Sequence, residues 1–123
     1  MQKFTTIGDW TLRLLLAVLF VAQGVIKVGG SPTWVSRFRE WGYPDHLYMV
    51  IGVVELLAGI ALLIPRFAAF GAVVLIVVMA GATGTHMVHR EPQSLTTILL
   101  LALLAAILVI QRVKLRGRNP NPV

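Results

Sequence analysis

The chain has 123 residues, of which 57% are hydrophobic and 13% are charged, and its formal net charge is +6. Soluble domains contain about 25% charged and about 45–50% apolar residues, so this composition argues against a soluble globular fold and favours a membrane protein. The sequence has no cysteine, which excludes disulfides and any thiol-based redox chemistry carried by this chain itself.

Four apolar stretches have the length, or nearly the length, of a membrane-spanning helix, which needs about 17–25 residues. We place these spans at about residues 9–28, 47–64, 67–87 and 95–110, followed by a basic C-terminal segment at 112–123. Because the spans use most of the chain, residues 1–123 are expected to form a single all-α membrane domain. The predicted fold is a polytopic bundle of four transmembrane helices.

The connection between the first and second spans reads S-P-T-W-V-S-R-F-R-E-W-G. Ser31 suits the N-cap of a helix, the following proline suits its first position, and Gly42 suits its end. This pattern predicts a short helix lying in the membrane interface. Its aromatic face carries Trp34, Phe38 and Trp41. Two roles remain open for this face, an anchor at the membrane surface or a lid over a cavity below.

The basic residues predict which side of the membrane each end occupies, since lysine and arginine favour cytoplasmic loops. One side carries Lys3, Arg13, Arg66, Arg112, Lys114, Arg116 and Arg118, and the other carries Lys27, Arg37, Arg39 and Arg90. We therefore expect both termini in the cytoplasm of a bacterium and the spans in its inner membrane. The basic residues after the fourth span suit anionic lipid headgroups, so no nucleic-acid partner is expected.

Glu55 lies in the middle of the second span, where a charged side chain is costly and usually faces the bundle and pairs. It stands about 12 Å along the helix from the outer end of that span. Lys27 and Gln23, one turn apart near the outer end of the first span, reach a similar depth. The third span adds Thr83, Thr85 and His86 at its outer end. These polar groups are expected to converge in the outer half of the bundle.

Small residues flank the carboxylate, because Gly52 and Gly59 share a helical face with Glu55 and Tyr48. Glycines there let another backbone or a small ligand come close. The candidate pocket therefore comprises Gln23, Lys27, Tyr48, Gly52, Glu55, Gly59, Thr83 and His86. Two interpretations remain. Either a buried pair or a neutral Glu55 only fixes the helix register, or the cluster lines a cavity in which Glu55 exchanges a proton or holds the polar head of a lipophilic ligand.

His86 and His89 are spaced i, i+3, which permits both to ligate a metal from one helical face. With Glu55 they would form a set of two histidines and one carboxylate. The spacing alone is a weak signal, since histidines near headgroups are more often solvated.

At these residues the sequence resembles the DoxX family of small four-span bacterial membrane proteins. The matching segments are R-L-L-L-A-V-L-F-V-A-Q-G-V-I-K, F-R-E-W-G-Y-P, I-G-V-V-E-L-L-A-G-I-A-L-L-I and A-G-A-T-G-T-H. The resemblance implies an inner-membrane protein associated with thiosulfate:quinone oxidoreduction or with complexes that handle oxidative stress. It maps the family's glutamate, lysine and arginine to Glu55, Lys27 and Arg13.

Three functions are consistent with these observations. The favoured one is a binding or accessory subunit for a quinone-like or lipid ligand, and not a stand-alone enzyme. The alternatives are an oxidoreductase subunit that acts on quinone, with Glu55 as proton acceptor, and a subunit of a small oligomeric transporter or channel. The expected partners are membrane lipids, other membrane or redox subunits, and further copies of the chain. Quinone is the one cofactor that this interpretation implies.

Overall fold

The computed structural model describes residues 2–44 and 46–117. That part of the chain contains five helices and no strand, so the fold is all-α as predicted. The helices are α1 (Gln2–Val28), α2 (Pro32–Glu40), α3 (Leu47–Ala61), α4 (Ala68–Val88) and α5 (Ser94–Gly117). The short helix predicted in the first connection is α2, which ends just before Gly42 at a positive φ of 80°.

The ends of three helices differ from the predicted spans. Helix α1 begins at Gln2 and not at residue 9, and α5 continues to Gly117, so the basic segment predicted from residue 112 is helical as far as 117. The extension of α5 occurs where Gln111 and Lys114 find a partner inside the bundle, Asp9 of α1. Helix α3 ends at Ala61, short of the predicted 64, because the residue before Pro65 is disfavoured in helical conformation and the turn begins earlier. The rest of the predicted segment, 118–123, lies outside the described residues.

Three helical segments are long and apolar enough to cross a membrane, namely Thr6–Val28, Ala68–Val88 and Ser94–Lys114. Helix α3 is a shorter apolar helix of 15 residues, about 22 Å long. Large apolar side chains such as Phe70, Val77 and Leu95 are more than two-thirds exposed, as expected of a surface that faces lipid. The protein is thus a helical membrane bundle.

The bundle consists of two tight helix pairs, α1 with α3 and α4 with α5, and contacts between α3 and α4 join them. Glycines make the close approaches. A Cβ on Gly24 of α1 would lie 2.6 Å from the carbonyl oxygen of Gly52 in α3, and one on Gly71 of α4 would lie 2.7 Å from that of Ala58. Small residues therefore bring the backbones together, as is usual where lipid gives no hydrophobic driving force between helices.

We call the end that carries α2 the outer end and the opposite end the inner end. Between them lies a core of buried apolar side chains that includes Leu16, Phe20, Leu75, Leu104 and Ile107. One polar cluster lies on the inner side of this core and a second lies on its outer side. The outer cluster borders a cavity.

Candidate functional site

The outer polar cluster is built around an ion pair between α1 and α3. Lys27, in the last turn of α1, donates a hydrogen bond from Nζ to Oε1 of Glu55. The two residues are 6% and 1% exposed, so the pair is withdrawn from solvent and lipid alike. Lys27 Nζ also lies 4.4 Å from the ring centroid of Trp34 in α2, a cation–π contact. The expected pairing of Glu55 with Lys27 is therefore present.

A cavity of about 690 Å³ adjoins this pair. That volume falls in the usual range for small-molecule sites, about 300–1,000 Å³. The wall is mainly apolar, with Leu19, Phe20, Ile51, Val78 and Leu100 among its residues. Its polar groups come from every helix and from both connections at the outer end: Gln23, Lys27, Arg37, Tyr43, Glu55, Thr85, His86, Gln93, Thr96 and Thr97.

Two amide side chains on the wall have unused hydrogen-bonding capacity. The Oε1 atoms of Gln23 and Gln93 are buried and accept no hydrogen bond from the described part of the protein. A buried acceptor without a partner is costly, by about 1–3 kcal/mol. Gln23 was expected to join Lys27 and Glu55, and it shares their cavity, although no hydrogen bond links it to either of them within the described residues. Its Oε1 is available to a bound molecule.

Helix α2 covers the outer end of the cavity with its aromatic face. Trp34, Phe38 and Trp41 all line the cavity, and Phe38 is buried between the two indoles. The ring of Trp41 stands nearly perpendicular to that of His86, with centroids 5.4 Å apart. Beyond the end of α2, the Tyr43 hydroxyl is hydrogen-bonded to the Thr85 hydroxyl of α4. These contacts hold α2 across the bundle, where a lid would lie.

His86 and His89 each form a hydrogen bond with an acceptor in the protein. His86 Nδ1 donates to Glu91 Oε1 at 2.9 Å, and His89 Nδ1 donates to the Thr85 carbonyl oxygen at 2.8 Å. The hydrogen bond from His86 is the main cause of a lowered pKa at Glu91, and the positive charge of Arg37 adds to it. Nowhere in residues 2–44 and 46–117 do three His, Asp or Glu side chains group as metal ligands would. The metal-ligand set of His86, His89 and Glu55, which the sequence spacing suggested, is therefore not assembled in the described residues.

Four predicted pocket residues lie away from the cavity wall. Tyr48 packs its ring against Phe38 at a centroid distance of 6.3 Å. Gly52 and Gly59 face α1, where a Cβ on Gly59 would lie 3.2 Å from that of Phe20. The hydroxyl of Thr83 is hydrogen-bonded to that of Thr97 at 2.7 Å and joins α4 to α5. These residues shape the bundle around the cavity instead of lining it.

The inner polar cluster was not predicted as a unit. Asp9, which is fully buried, accepts hydrogen bonds from Arg13 at 3.2 Å, from Gln111 at 2.9 Å and from Lys114 at 2.7 Å. Arg13 also donates from Nε to the Leu62 carbonyl oxygen at 2.6 Å. The i, i+4 spacing of Asp9 and Arg13 was the available signal. That spacing does not by itself predict the cluster, because Asp9 stands at the edge of the first apolar span and Lys114 in a basic segment that suits anionic headgroups.

The comparisons with known proteins identify the family of the chain. The sequence model of the DoxX-like family matches residues 11–109. The chain is 35% identical over 104 residues to the uncharacterized protein YdgD of Bacillus subtilis (strain 168), and the match covers 80% of this chain and 91% of the relative. No solved structure gives a significant match. On the extent of the family match, the chain belongs to the DoxX-like family.

Proposed function

We propose that this membrane protein binds a lipophilic ligand with a small polar head, quinone-like or lipid, in the cavity beside Lys27 and Glu55. In this role it serves as a binding or accessory subunit of a membrane redox or oxidative-stress system. The observation that carries the proposal is a mainly apolar cavity whose buried polar groups converge at one place. Sites of that design are typical of small-molecule binding.

The polar groups offer both donors and acceptors to a ligand head. The Lys27 ammonium has three N–H donors, and its hydrogen bond to Glu55 uses one of them. Gln23 Oε1 and the Glu55 carboxylate are acceptors on the same wall. A quinone carbonyl would accept from Lys27, and the hydroxyl of the reduced form would donate to Gln23 or Glu55. The wall thus suits both redox forms of a quinone-like ring.

The charge balance at Lys27 and Glu55 favours a neutral head, and the further positive charge on the wall, Arg37 of α2, acts on Glu91. Lys27 and Glu55 neutralise each other within the bundle. An anionic phosphate bound to Lys27 would lie beside the Glu55 carboxylate, and the repulsion between these two negative charges in a buried site is costly. A neutral quinone ring brings no such repulsion. Among lipophilic ligands, a neutral quinone-like molecule therefore fits the site best.

The second candidate is an oxidoreductase subunit that reduces or oxidises quinone. A buried carboxylate on the cavity wall favours it, because Glu55 is placed to accept or return the proton of a quinone hydroxyl. The electrons would come from a partner redox subunit, and a thiol of this chain is excluded as their carrier because it has no cysteine. Turnover of a quinone by the purified chain with reductant alone would show that no such partner is needed.

Tryptophan fluorescence offers a direct binding test, because the chain has three tryptophans and two of them, Trp34 and Trp41, line the cavity. In a Trp10→Phe background in nanodiscs, a short-chain quinone should quench the remaining fluorescence along a saturable curve. Gln23→Leu should weaken that binding, because it removes an acceptor that has no partner in the described structure.

Glu40→Gln is the matched control, since Glu40 is exposed on α2 and is not on the wall of this cavity. It should leave the titration unchanged. Quenching that rises linearly with quinone and is the same in all variants would contradict the proposal.

We further propose that the protein lies in the bacterial inner membrane with its inner end and both termini on the cytoplasmic side. The support is the distribution of lysine and arginine in the sequence. Because the chain has no cysteine, single-cysteine variants give a clean test. Exposed Ser36 in α2, replaced by cysteine, should react with a membrane-impermeant maleimide added outside the membrane. Arg66→Cys, at the opposite end, should be protected.

A further inference from the structure

The cavity is not closed on the side that faces lipid. Val77 and Gly81, one turn apart on α4, line the cavity, yet Val77 is 68% exposed and Gly81 is also exposed on the outer surface. A Cβ placed on Gly81 would meet no atom within 4 Å. Residues that belong both to a cavity wall and to the lipid-facing surface mark places where the cavity is open to lipid. Leu19 of α1, which is 42% exposed, and exposed Thr96 of α5 also meet this criterion. Gly81 differs from them because it has no side chain to narrow the opening.

The opening lies at the depth of the ion pair. Gly81 is seven residues from the outer end of α4 at Val88, about 10 Å along the helix. Glu55 is eight residues from the outer end of α3 at Leu47, about 12 Å along that helix. The opening is therefore level with the polar groups and lies within the bilayer, below the headgroups.

The direct route from water is covered. The aromatic face of α2 lies over the outer end of the cavity, and the hydrogen bond between Tyr43 and Thr85 ties the end of this helix to α4. Arg37, on α2 itself, and His86 also line the cavity. A molecule dissolved in the bilayer meets the opening at Gly81, whereas a molecule in water meets a layer of tryptophan and phenylalanine.

The volume of the cavity limits what it can enclose. About 690 Å³ suits a ring-sized or drug-sized molecule. A polyprenyl tail of many isoprene units is larger than this, so most of such a tail would have to remain outside. A tail that stays in the bilayer is not less stable there than in the cavity, because lipid tails are as apolar as the protein wall.

We propose that the ligand enters sideways from the bilayer through the opening at Gly81 on α4, and that it is a neutral ring with a long hydrocarbon tail. The head reaches Lys27, Glu55 and Gln23, while the tail lies across Gly81 and continues into the lipid. This inference rests on the proposed function and adds the class of ligand and the route that it takes.

The test uses two probes in nanodiscs, a benzoquinone without a tail and the same ring with a long polyprenyl tail. Binding is followed by quenching of Trp34 and Trp41 in the Trp10→Phe background. Gly81→Leu fills the opening and should weaken binding of the long-tailed probe by on the order of tenfold, with little effect on the tailless one. Gly84→Leu is the matched control, because Gly84 is exposed on the same helix, has equally open space and is not on the cavity wall.

The outcomes distinguish the lateral entry route from the proposed ligand-binding function. If Gly81→Leu binds the long-tailed probe as well as the unsubstituted protein does, or weakens both probes equally, the lateral route is wrong and the cavity remains a binding site. If Gly84→Leu has the same selective effect, the opening at Gly81 is not what the tail crosses. If neither probe binds the unsubstituted protein, the proposed function itself fails.

Discussion

At the scale of single residues, the Lys27–Glu55 pair shows why a carboxylate can stand in an apolar helix. Each ion alone would be very unfavourable in the bundle, but together they satisfy each other, and the ring of Trp34 adds a cation–π contact. The same reasoning predicts that a single substitution in the pair destabilises the protein more than a double substitution does. Removal of one partner leaves an uncompensated buried charge, whereas removal of both leaves an apolar contact.

We therefore expect Glu55→Leu to lower the free energy of unfolding by about 3–5 kcal/mol, because Lys27 would remain buried without its carboxylate. The double variant Lys27→Met, Glu55→Leu should recover most of that loss. Thermal unfolding in one detergent, compared across the two single variants and the double variant, measures the coupling. A double variant as unstable as the sum of the single ones would show that the pair contributes nothing through its charge.

The contact between His86 and Glu91 makes a prediction about pH. The folded protein lowers the pKa of Glu91 below its ordinary value of 4.5, chiefly through the hydrogen bond from His86. The ionised carboxylate therefore stabilises the fold above pH 4.5, and this contribution is lost as pH falls through the lower folded-state pKa. Glu91→Gln should be less stable than the unsubstituted protein at pH 7, and the difference between their melting temperatures should narrow toward pH 3. A difference that stays constant with pH would contradict the assignment.

At the scale of helices, the contact between α1 and α3 depends on glycine. A methyl group on Gly24 would lie 2.6 Å from the Gly52 carbonyl oxygen and 2.8 Å from the backbone nitrogen of Leu56, neither of which is free to move away. Gly24→Ala should therefore lower the free energy of unfolding by about 1–3 kcal/mol. Gly8→Ala, on the same helix with nothing within 4 Å, should be neutral or should stabilise the helix by about 0.5–1 kcal/mol. Chemical unfolding of the two variants measures both effects, and equal stability of the two would contradict this packing.

The helices were predictable from the sequence where hydropathy and turn residues agree. The ends of α4 and the position of α2 follow from apolar length, proline and glycine. The extensions of α1 to Gln2 and of α5 to Gly117 were not predictable in this way. The extension of α5 carries Gln111 and Lys114, which lie 102 and 105 residues from Asp9 and look like a solvated end until the fold brings them to it.

The candidate site was predictable in its ion pair but not in its wall. Depth along a helix was enough to bring Lys27 and Gln23 near Glu55. Spacing alone does not show which neighbouring helix a glycine faces. The sequence therefore predicts Gly52 and Gly59 in the pocket, whereas in the structure both face α1. Likewise, Arg37 and Thr97 reach the cavity through the arrangement of α2 and α5, which no local pattern specifies.

At the scale of the whole molecule, two polar clusters lie on either side of an apolar core. Leu16, Phe20, Leu75 and Leu104, all essentially buried, lie in the core between the Asp9 cluster and the cavity. This arrangement does not favour a polar path through one chain, so the transporter or channel alternative would need a path formed between several copies. The two clusters suit a bundle that is held together at its inner end and contains a cavity at its outer end.

Asp9 is expected to fix the inner end. Asp9→Leu would leave Arg13 and Lys114 without their carboxylate and should speed hydrogen exchange in the last turns of α5, while the cavity still binds its ligand. Lys114→Met should have a smaller effect, because the Lys114 side chain is 26% exposed and Arg13 still neutralises Asp9. Exchange measured by mass spectrometry on peptides from both ends distinguishes the two variants. Exchange that rises equally at both ends would show that the inner cluster stabilises the bundle only globally.

Native mass spectrometry of the protein, purified from bacterial membranes in mild detergent, tests most directly whether the cavity holds a lipophilic ligand. We expect one adduct per chain with the mass of a polyprenyl quinone or a lipid, and we expect Gln23→Leu to reduce its occupancy while Glu40→Gln does not. The bare mass of the unsubstituted chain, or an adduct retained equally by both variants, would contradict a ligand site beside Lys27 and Glu55.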